Sequence, residues 1–328
     1  MASCLIVQPV HPAGVARLEE AGIAARYASA QDMETVAREI GDCEAVITRN
    51  AGLKRIALDA ATNLRVIANH GIGTNEIDVA HAGDLGIPIV YTPNANARSV
   101  AEHAIAMMLA LAKRLRESDA ATRAGNWDFR YAGGMSEVSG KTLGLVGFGT
   151  IARLTADMAR AGFGMKVLVW SPRASDEAIA AAGATRAATL EALLAEADFV
   201  SLHRPLREDT RHTIDAAALS AMKRTAFLVN TARGALIDEA ALAAALKEGR
   251  IAGAGLDVFQ KEPLPADSPL RACETAILAP HVAGATEDAL RETALQCAGQ
   301  IIDVLAGRRP PHLVNPEVWE RRRGPVAA

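Results

Sequence analysis

The sequence predicts an α/β protein built from two Rossmann-like or flavodoxin-like, doubly wound parallel-sheet domains, one inserted into the other. Three observations carry that reading. Short apolar runs alternate with amphipathic stretches in two successive series. A Gly-rich turn opens near the middle of the chain rather than at its start. The length of 328 residues suggests about two domains.

In the first series the strand candidates are residues 5–7, 45–47, 66–68 and 87–90, with crossover helices between them. Ser99 is the expected N-cap of a long helix through Arg116. Ala101, Ile105, Met108, Leu109 and Ala112 recur there at helical spacing, and Glu102 falls in the first turn. Residues 124–140 are Gly-rich without a period and read as a loop or arm. The second series has strand candidates at 143–146, 166–170, 199–202, 226–229, 254–258 and 276–278, separated by Ala-rich stretches whose small side chains let helices lie close on a sheet. After Pro280 one more helix is expected, from Thr286 to about Leu305, returning to the first domain. The boundaries that follow are 1–98 plus 285–328 for the outer domain and 99–284 for the inner one.

Half of the residues are apolar, 22% are charged, and the net charge is −3, which fits a soluble globular chain with no basic field for nucleic acid. Arg321, Arg322 and Arg323 read as a solvated tail. The four cysteines (Cys4, Cys43, Cys273 and Cys297) are scattered. With no CxxC or HExxH, no metal site is expected, and a reducing, cytoplasmic setting is. The N-terminus lacks a basic region before its first apolar run, so no signal peptide is expected. No apolar run is long enough to span a bilayer.

The chemistry-bearing motifs begin with the apolar run 143–146 leading into Gly147-Phe-Gly149-Thr-Ile-Ala152. Gly147 permits the tight turn, and Gly149 lets a pyrophosphate approach the backbone. The helix that follows, expected over 153–161, offers its free N–H groups to phosphate. Ala152 stands where a third Gly is common. Three further signatures follow in order: Val229-Asn-Thr-Ala-Arg233-Gly234, Gly255-Leu-Asp257-Val-Phe-Gln-Lys-Glu262-Pro263 and Ala279-Pro280-His281-Val-Ala-Gly284. Each puts a polar or ionisable residue at the carboxyl end of an expected strand, the edge where open α/β sheets bind ligands.

With Gly71-Ile-Gly-Thr-Asn-Glu-Ile-Asp78, Thr92-Pro-Asn-Ala-Asn96, Ser99-Val-Ala-Glu-His103 and Ser201-Leu-His-Arg-Pro-Leu206, these motifs resemble the D-isomer-specific 2-hydroxyacid dehydrogenases over nearly the whole chain. The resemblance implies hydride transfer between a nicotinamide cofactor and a small 2-keto or 2-hydroxy acid. His281 would be the proton donor, because imidazole titrates near neutrality. Glu262 would lie beside it, favouring the charged ring and fixing its orientation. Arg233 would bind the carboxylate in a bidentate fork and polarise the carbonyl. The other seven histidines read as structural, although His203 sits in a motif that resembles a cofactor-facing loop. The resemblance also places Thr150 and Ile151 under the pyrophosphate, and Pro205 and Thr210 beside the adenosine. Thr231, Ala232 and Asp257 would lie at the nicotinamide carboxamide. Gly71, Ile72 and Gly73 would form a backbone nest for the substrate carboxylate, with Asn96 reaching the same pocket. A homodimer is implied, with residues 117–140 as the candidate partner surface.

The second strand of the nucleotide unit ends in Trp170-Ser171-Pro172-Arg173. The carboxylate that would accept hydrogen bonds from the adenosine ribose is missing. Ser171 can donate to a 2′-phosphate and Arg173 can pair with it, so NADP(H) is favoured over NAD(H). Arg204 reads as a solvated side chain. Asn69-His70 stands where 3-phosphoglycerate enzymes of this family often carry Arg, and Glu262 stands where formate dehydrogenases carry Gln. Glyoxylate or hydroxypyruvate is therefore the expected class of substrate. The alternatives are a 3-phosphoglycerate, formate or phosphite dehydrogenase, or a nucleotide-sensing, corepressor-like binding protein.

Overall fold

The computed structural model describes residues 2–324; Met1 and residues 325–328, the extreme ends of the expected outer domain, lie outside them. The chain divides into two compact units, one discontinuous (Met1–Asn96 with Ala285–Ala328) and one inserted (Ala97–Gly284).

The discontinuous unit holds a five-stranded parallel sheet in the order β2-β1-β3-β4-β5, with β1 Ser3–Ile6, β2 Ala24–Tyr27, β3 Ala45–Thr48, β4 Val66–Asn69 and β5 Ile89–Tyr91. The strands are apolar at nearly every position because both faces are covered. Leu5, Val46 and Ile67 face one core with Val36 and Leu58, while Ile6, Ile47 and Val66 face the other with Ala294, Cys297 and Ile301. Helices α1 (Pro12–Glu20), α2 (Met33–Glu39), α3 (Arg55–Ala60) and α4 (Val79–Asp84) lie between the strands. The last α-helix among the described residues, Glu287–Leu305, packs on α1 and is N-capped by Thr286, whose hydroxyl accepts from Ala289 N–H. Edge strand β2 escapes the apolar-run pattern because its four residues, AARY, are exposed or half-buried.

Arg321–Arg323 are not a solvated tail. Arg321 Nη1 donates to Gly83 O (2.8 Å), and Arg323 Nη1 donates to Ala61 O (2.7 Å) and Thr62 O (3.0 Å). Arg322 lies 3.9 Å over the Trp319 ring. The outer two thus satisfy carbonyls at or just beyond the C-terminal ends of α3 and α4, where cations are favoured.

The inserted unit opens with α5 (Ala97–Ala112) and α6 (Leu115–Arg123). Its buried face begins at Ala97, so Ser99 lies inside α5 rather than at its cap, and Glu102 lies beyond the first turn. The expected helix to Arg116 is broken at Arg114, which adopts a left-handed φ of 49°. A 3₁₀ turn, Trp127–Tyr131, lies within the expected arm. Seven parallel strands follow in the order β12-β11-β10-β9-β6-β7-β8: β6 Thr142–Val146, β7 Lys166–Trp170, β8 Thr185–Arg186, β9 Phe199–Leu202, β10 Phe227–Asn230, β11 Gly253–Leu256 and β12 Ala276–Leu278. Two-residue β8 carries too little pattern to be anticipated. From β6 the chain winds one way to β7 and β8, then returns to β9 on the other side of β6. The carboxyl ends of β6 and β9 therefore form a topological switch point, the crevice where such sheets bind ligands. Helix α7, Thr150–Phe163, starts there.

Among the described residues no helix is long and apolar enough to cross a membrane, and no group of three His, Cys, Asp or Glu side chains could hold a metal ion.

Candidate active site

Strand β10 ends in a fully buried amide, Asn230. Its Nδ2 donates to Arg233 O (2.9 Å) and its Oδ1 accepts from Ala232 N–H (3.0 Å), closing the turn 231–233. That turn presents Arg233, whose Nη1 donates to Ala232 O at 2.6 Å. Burial lowers the guanidinium pKa, and the Glu262 charge opposes that shift. The next residue has to be Gly. A Cβ on Gly234 would sit 1.9 Å from the carbonyl carbon of Phe259. This close approach brings the Arg233 turn against the loop that carries Glu262.

Strand β11 runs into Asp257, also fully buried. Its Oδ1 and Oδ2 accept from Val282 N–H and Ala283 N–H, both at 2.8 Å, and its carbonyl oxygen accepts from His281 N–H at 2.8 Å. One aspartate thus grips three consecutive N–H groups and holds His281 in a left-handed conformation, φ 55°. Burial raises the Asp257 carboxyl; the Ala283 and Val282 N–H groups, with the charges of His103 and His281, pull against it. On α5, His103 Nε2 is buried without a hydrogen bond, 3.8 Å from Asp257 Oδ1.

His281 Nδ1 lies 2.7 Å from Glu262 Oε2, and Glu262 Oε1 accepts from Phe259 N–H at 3.0 Å. Burial alone would raise the Glu262 carboxyl. The hydrogen bonds from His281 and Phe259 and the charges of His281 and Arg233 outweigh it and hold the group below the ordinary carboxylate value. With Nδ1–H given to the carboxylate, Nε2 is the nitrogen left for chemistry. Both side chains remain about one-third exposed (34% and 32%), so the pair is reachable. An imidazole fixed by an ionised carboxylate, with a guanidinium close enough to act on that carboxylate, can move a proton beside a bound anion.

The same unit builds the Gly-rich turn. Gly147 has φ 103°, its N–H donates to Trp170 O (2.9 Å), and a Cβ on it would meet His203 O at 2.5 Å. Gly149 faces open space, and no side chain caps α7. The first-turn N–H groups are therefore available to a phosphate. Ala152 is fully buried, which keeps α7 close to the sheet. Ser171 is nearly buried, Pro172 and Arg173 are exposed, and Arg186 Nη1 fixes their loop by donating to Ser171 O at 3.0 Å. His203 Nε2 is 2.9 Å from Ser201 Oγ; burial pushes its pKa down to about 4, so the ring is neutral near pH 7.

Residues 105–283 match the family described as D-isomer specific 2-hydroxyacid dehydrogenase, NAD binding domain. A glyoxylate reductase of Korarchaeum cryptofilum is 40% identical over 293 residues, 88% of each chain. A D-3-phosphoglycerate dehydrogenase of Methanocaldococcus jannaschii is 36% identical over 99% of this chain and 62% of its own. The chain belongs to the D-isomer-specific 2-hydroxyacid dehydrogenase family. Among solved structures, an NADPH-dependent glyoxylate/hydroxypyruvate reductase of Sinorhizobium meliloti superimposes with a TM-score of 0.82 at 26% identity, covering 96% of this chain and 98% of that one. D-2-hydroxyacid dehydrogenases are NAD(P)-dependent oxidoreductases, and the uncapped α7 and the opening at Gly149 fit such a dinucleotide.

Not every expected residue of this dehydrogenase has the part the sequence suggested. Thr210 is enclosed, and its hydroxyl accepts from Arg207 N–H (2.7 Å) and donates to Pro205 O (2.8 Å). It shapes the loop that follows exposed Pro205, so its hydroxyl is engaged within the protein. Both backbone groups of Ala232 are engaged, by Asn230 and Arg233. Both Asp257 oxygens already serve the His281 loop. Thr231 Oγ1, by contrast, is buried without a hydrogen bond and fits a ligand group. In the discontinuous unit, Gly71 N–H donates to Asn69 O (2.9 Å), so the expected nest reduces to Ile72 and Gly73. Asn96 Oδ1 there is buried and unpaired. The sequence assigns no part to Asn230 or Gly234, and His103 reads as structural; for Asn230 the signal is a polar residue ending an apolar strand.

Proposed function

We propose that this dehydrogenase reduces small, unphosphorylated 2-keto acids such as glyoxylate and hydroxypyruvate to the corresponding 2-hydroxy acids, with NADP(H) favoured over NAD(H). The observation that carries the reading is the Arg233, Glu262 and His281 arrangement on the carboxyl edge that also bears the Gly147 turn. The names of the glyoxylate reductases, and of the NADPH-dependent glyoxylate/hydroxypyruvate reductase, support the substrate and cofactor classes. A nicotinamide cofactor held at the Gly147–Gly149 turn and the α7 N-terminus would supply the hydride. Arg233 binds the substrate carboxylate and draws electron density from the carbonyl. His281 Nε2 gives its proton to the carbonyl oxygen, and Glu262 stabilises the imidazolium before that transfer. In the oxidative direction neutral His281 takes the hydroxyl proton. The N–H groups of Ile72 and Gly73, with Asn96, are proposed to add neutral donors to the carboxylate.

By this reading residues 99–284 bind the dinucleotide, and residues 1–98 with 285–328 serve the substrate. The chain works in the cytoplasm as a homodimer. Exposed Leu115, Trp127, Tyr131 and Met135 form apolar surface suited to a second copy. The test is a panel of glyoxylate, hydroxypyruvate, pyruvate, 3-phosphohydroxypyruvate and formate assayed with both nicotinamides in the appropriate redox state. Highest kcat/KM for a small unphosphorylated keto acid with NADPH is expected. A phosphorylated substrate or a clear NADH preference overturns the corresponding half of the reading.

A further inference from the structure

Arg204 reaches from the end of β9 across the Gly147 turn to the end of β7. Its guanidinium carbon lies 4.9 Å from the centre of the Trp170 ring, and its Nη1 lies 3.4 Å from Thr213 Oγ1. A Cβ built on Gly147 would meet Arg204 Cγ at 3.0 Å. The side chain is therefore packed over the phosphate turn rather than extended into solvent, and stacking on an indole face suits a planar guanidinium. Trp170 immediately precedes Ser171-Pro172-Arg173, the loop that replaces a ribose-binding carboxylate.

The charges at this corner do not balance. Burial lowers the Arg204 pKa most; the Asp209 charge opposes it, and Arg207 and Arg173 lower it further as like charges. Asp209 is itself 3.3 Å from Arg207 Nε. Among the described residues neither Arg173 nor Arg204 forms an ion pair. Like charges held together beside a switch point are unfavourable until an anion fills the space between them. The Gly147 turn and the α7 N-terminus already account for a pyrophosphate. The excess charge lies beyond them, on the β7 side.

We propose that Arg204, steadied by Trp170, joins Arg173 in a subsite for a phosphate on the adenosine ribose, and so helps set cofactor choice. This rests on the NADP(H) reading above. Arg204 is thereby a specificity residue contributed by β9, distant in sequence from the loop after β7.

The test measures binding, by calorimetry on the full chain, of adenosine 2′,5′-bisphosphate and of adenosine 5′-monophosphate. The wild type should bind the bisphosphate more tightly. Arg204→Leu should lose about tenfold or more of that affinity, the scale of one hydrogen bond to a charged group, with less than about threefold change for the monophosphate. Arg204→Lys should recover part of the loss. Trp170→Leu should reproduce it in smaller measure, and carries the test if Arg204→Leu does not fold. If the wild type prefers the bisphosphate and only Arg173→Leu abolishes the preference, Arg204 has no such role while the NADP(H) reading stands. Equal losses for both ligands in Arg204→Leu would assign Arg204 to adenosine and overturn the subsite. A wild type that binds both alike overturns the cofactor reading and the subsite together.

Discussion

Asn69 and Asn230 end parallel strands in different sheets, β4 and β10, and both tie down the loop that follows. Both are buried, at 2% and 0% exposure. Asn69 Nδ2 donates to the carbonyls of Gly71 (2.9 Å) and Gly73 (3.1 Å). Asn230 uses both ends of its amide, on Arg233 O and Ala232 N–H. What the loops present differs. The β4 loop offers, at residues 71–73, backbone N–H groups and no charged side chain. The β10 loop offers a guanidinium held next to the His281 and Glu262 pair. One strand-end device thus serves two chemistries, and the reacting charges are all collected on the seven-stranded sheet. Under the proposed function the five-stranded sheet contributes binding alone.

The largest expected effect tests that division. His281→Ala should lower kcat by about 100-fold or more, the scale of general acid–base catalysis, with KM little changed. Glu262→Gln should lower kcat less and alter its pH profile, because an amide still accepts from Nδ1 but does not stabilise the imidazolium. Substitutions in the β4 loop, such as Gly73→Ala, should act on KM. Steady-state kinetics with glyoxylate checks all three; near-normal kcat in His281→Ala removes this residue from the proton transfer.

Much of this was legible in the sequence for identifiable reasons. Strands β1, β3, β4, β6, β7, β9, β10 and β11 are apolar runs because both faces of each sheet are covered. The Gly147 turn and the sequence of Arg233, Glu262 and His281 were visible because chemistry restricts those residue types. What stayed hidden depends on three-dimensional partners. Edge strand β2 is exposed or half-buried at every position and β8 is only two residues long, so neither shows an apolar run. Arg321 and Arg323 look like a tail until the carbonyls at the ends of α3 and α4 are placed against them. Asp257 reads as a ligand contact, but its buried carboxylate is the clamp on residues 281–283. Gly234 is an ordinary Arg-Gly loop in sequence; only the 1.9 Å clash of its missing side chain shows that it joins two parts of the site.

A smaller effect separates the two asparagines. Removing either amide strands one backbone group, at up to roughly 1–3 kcal/mol. Asn230→Ala leaves the Ala232 N–H unpaired, because Arg233 O still accepts from Leu236 N–H; Asn69→Ala leaves the Gly73 carbonyl, because Gly71 O still accepts from Thr92 N–H. Unpaired carbonyls are the better tolerated. Asn230→Ala should therefore melt lower than Asn69→Ala. It should also lose about tenfold in kcat through displacement of Arg233, whereas Asn69→Ala should mainly raise KM. Equal losses of kcat in the two variants would mean that the β4 loop takes part in the chemistry and would break the contrast drawn above.

The smallest expected effect concerns stability, and here the two sheets should behave alike. Each has a half-buried histidine one residue past a strand end whose ring is kept neutral by its surroundings. Burial pushes the His203 pKa down to about 4; burial and then the Arg49 charge bring His70 to about 4, against backbone hydrogen bonds that favour its charged form. An unfolded histidine titrates near 6.5. Between these values the unfolded chain binds more protons than the folded one, so the contribution of each ring is intact above about pH 6.5 and is lost as pH falls toward 4. Tm should drop by several degrees between about pH 6.5 and 4.5, before most carboxylates titrate. His203→Asn and His70→Asn should each flatten part of that slope. Buried Asp257 and half-buried Glu239, whose pKa values burial raises, act in the opposite sense, so the difference between variant and wild type is the quantity to read. A slope unchanged in His203→Asn but flattened in His70→Asn would place the acid sensitivity in the five-stranded sheet alone, and would make the neutral loop beside His70 the part of the molecule that acid disturbs first.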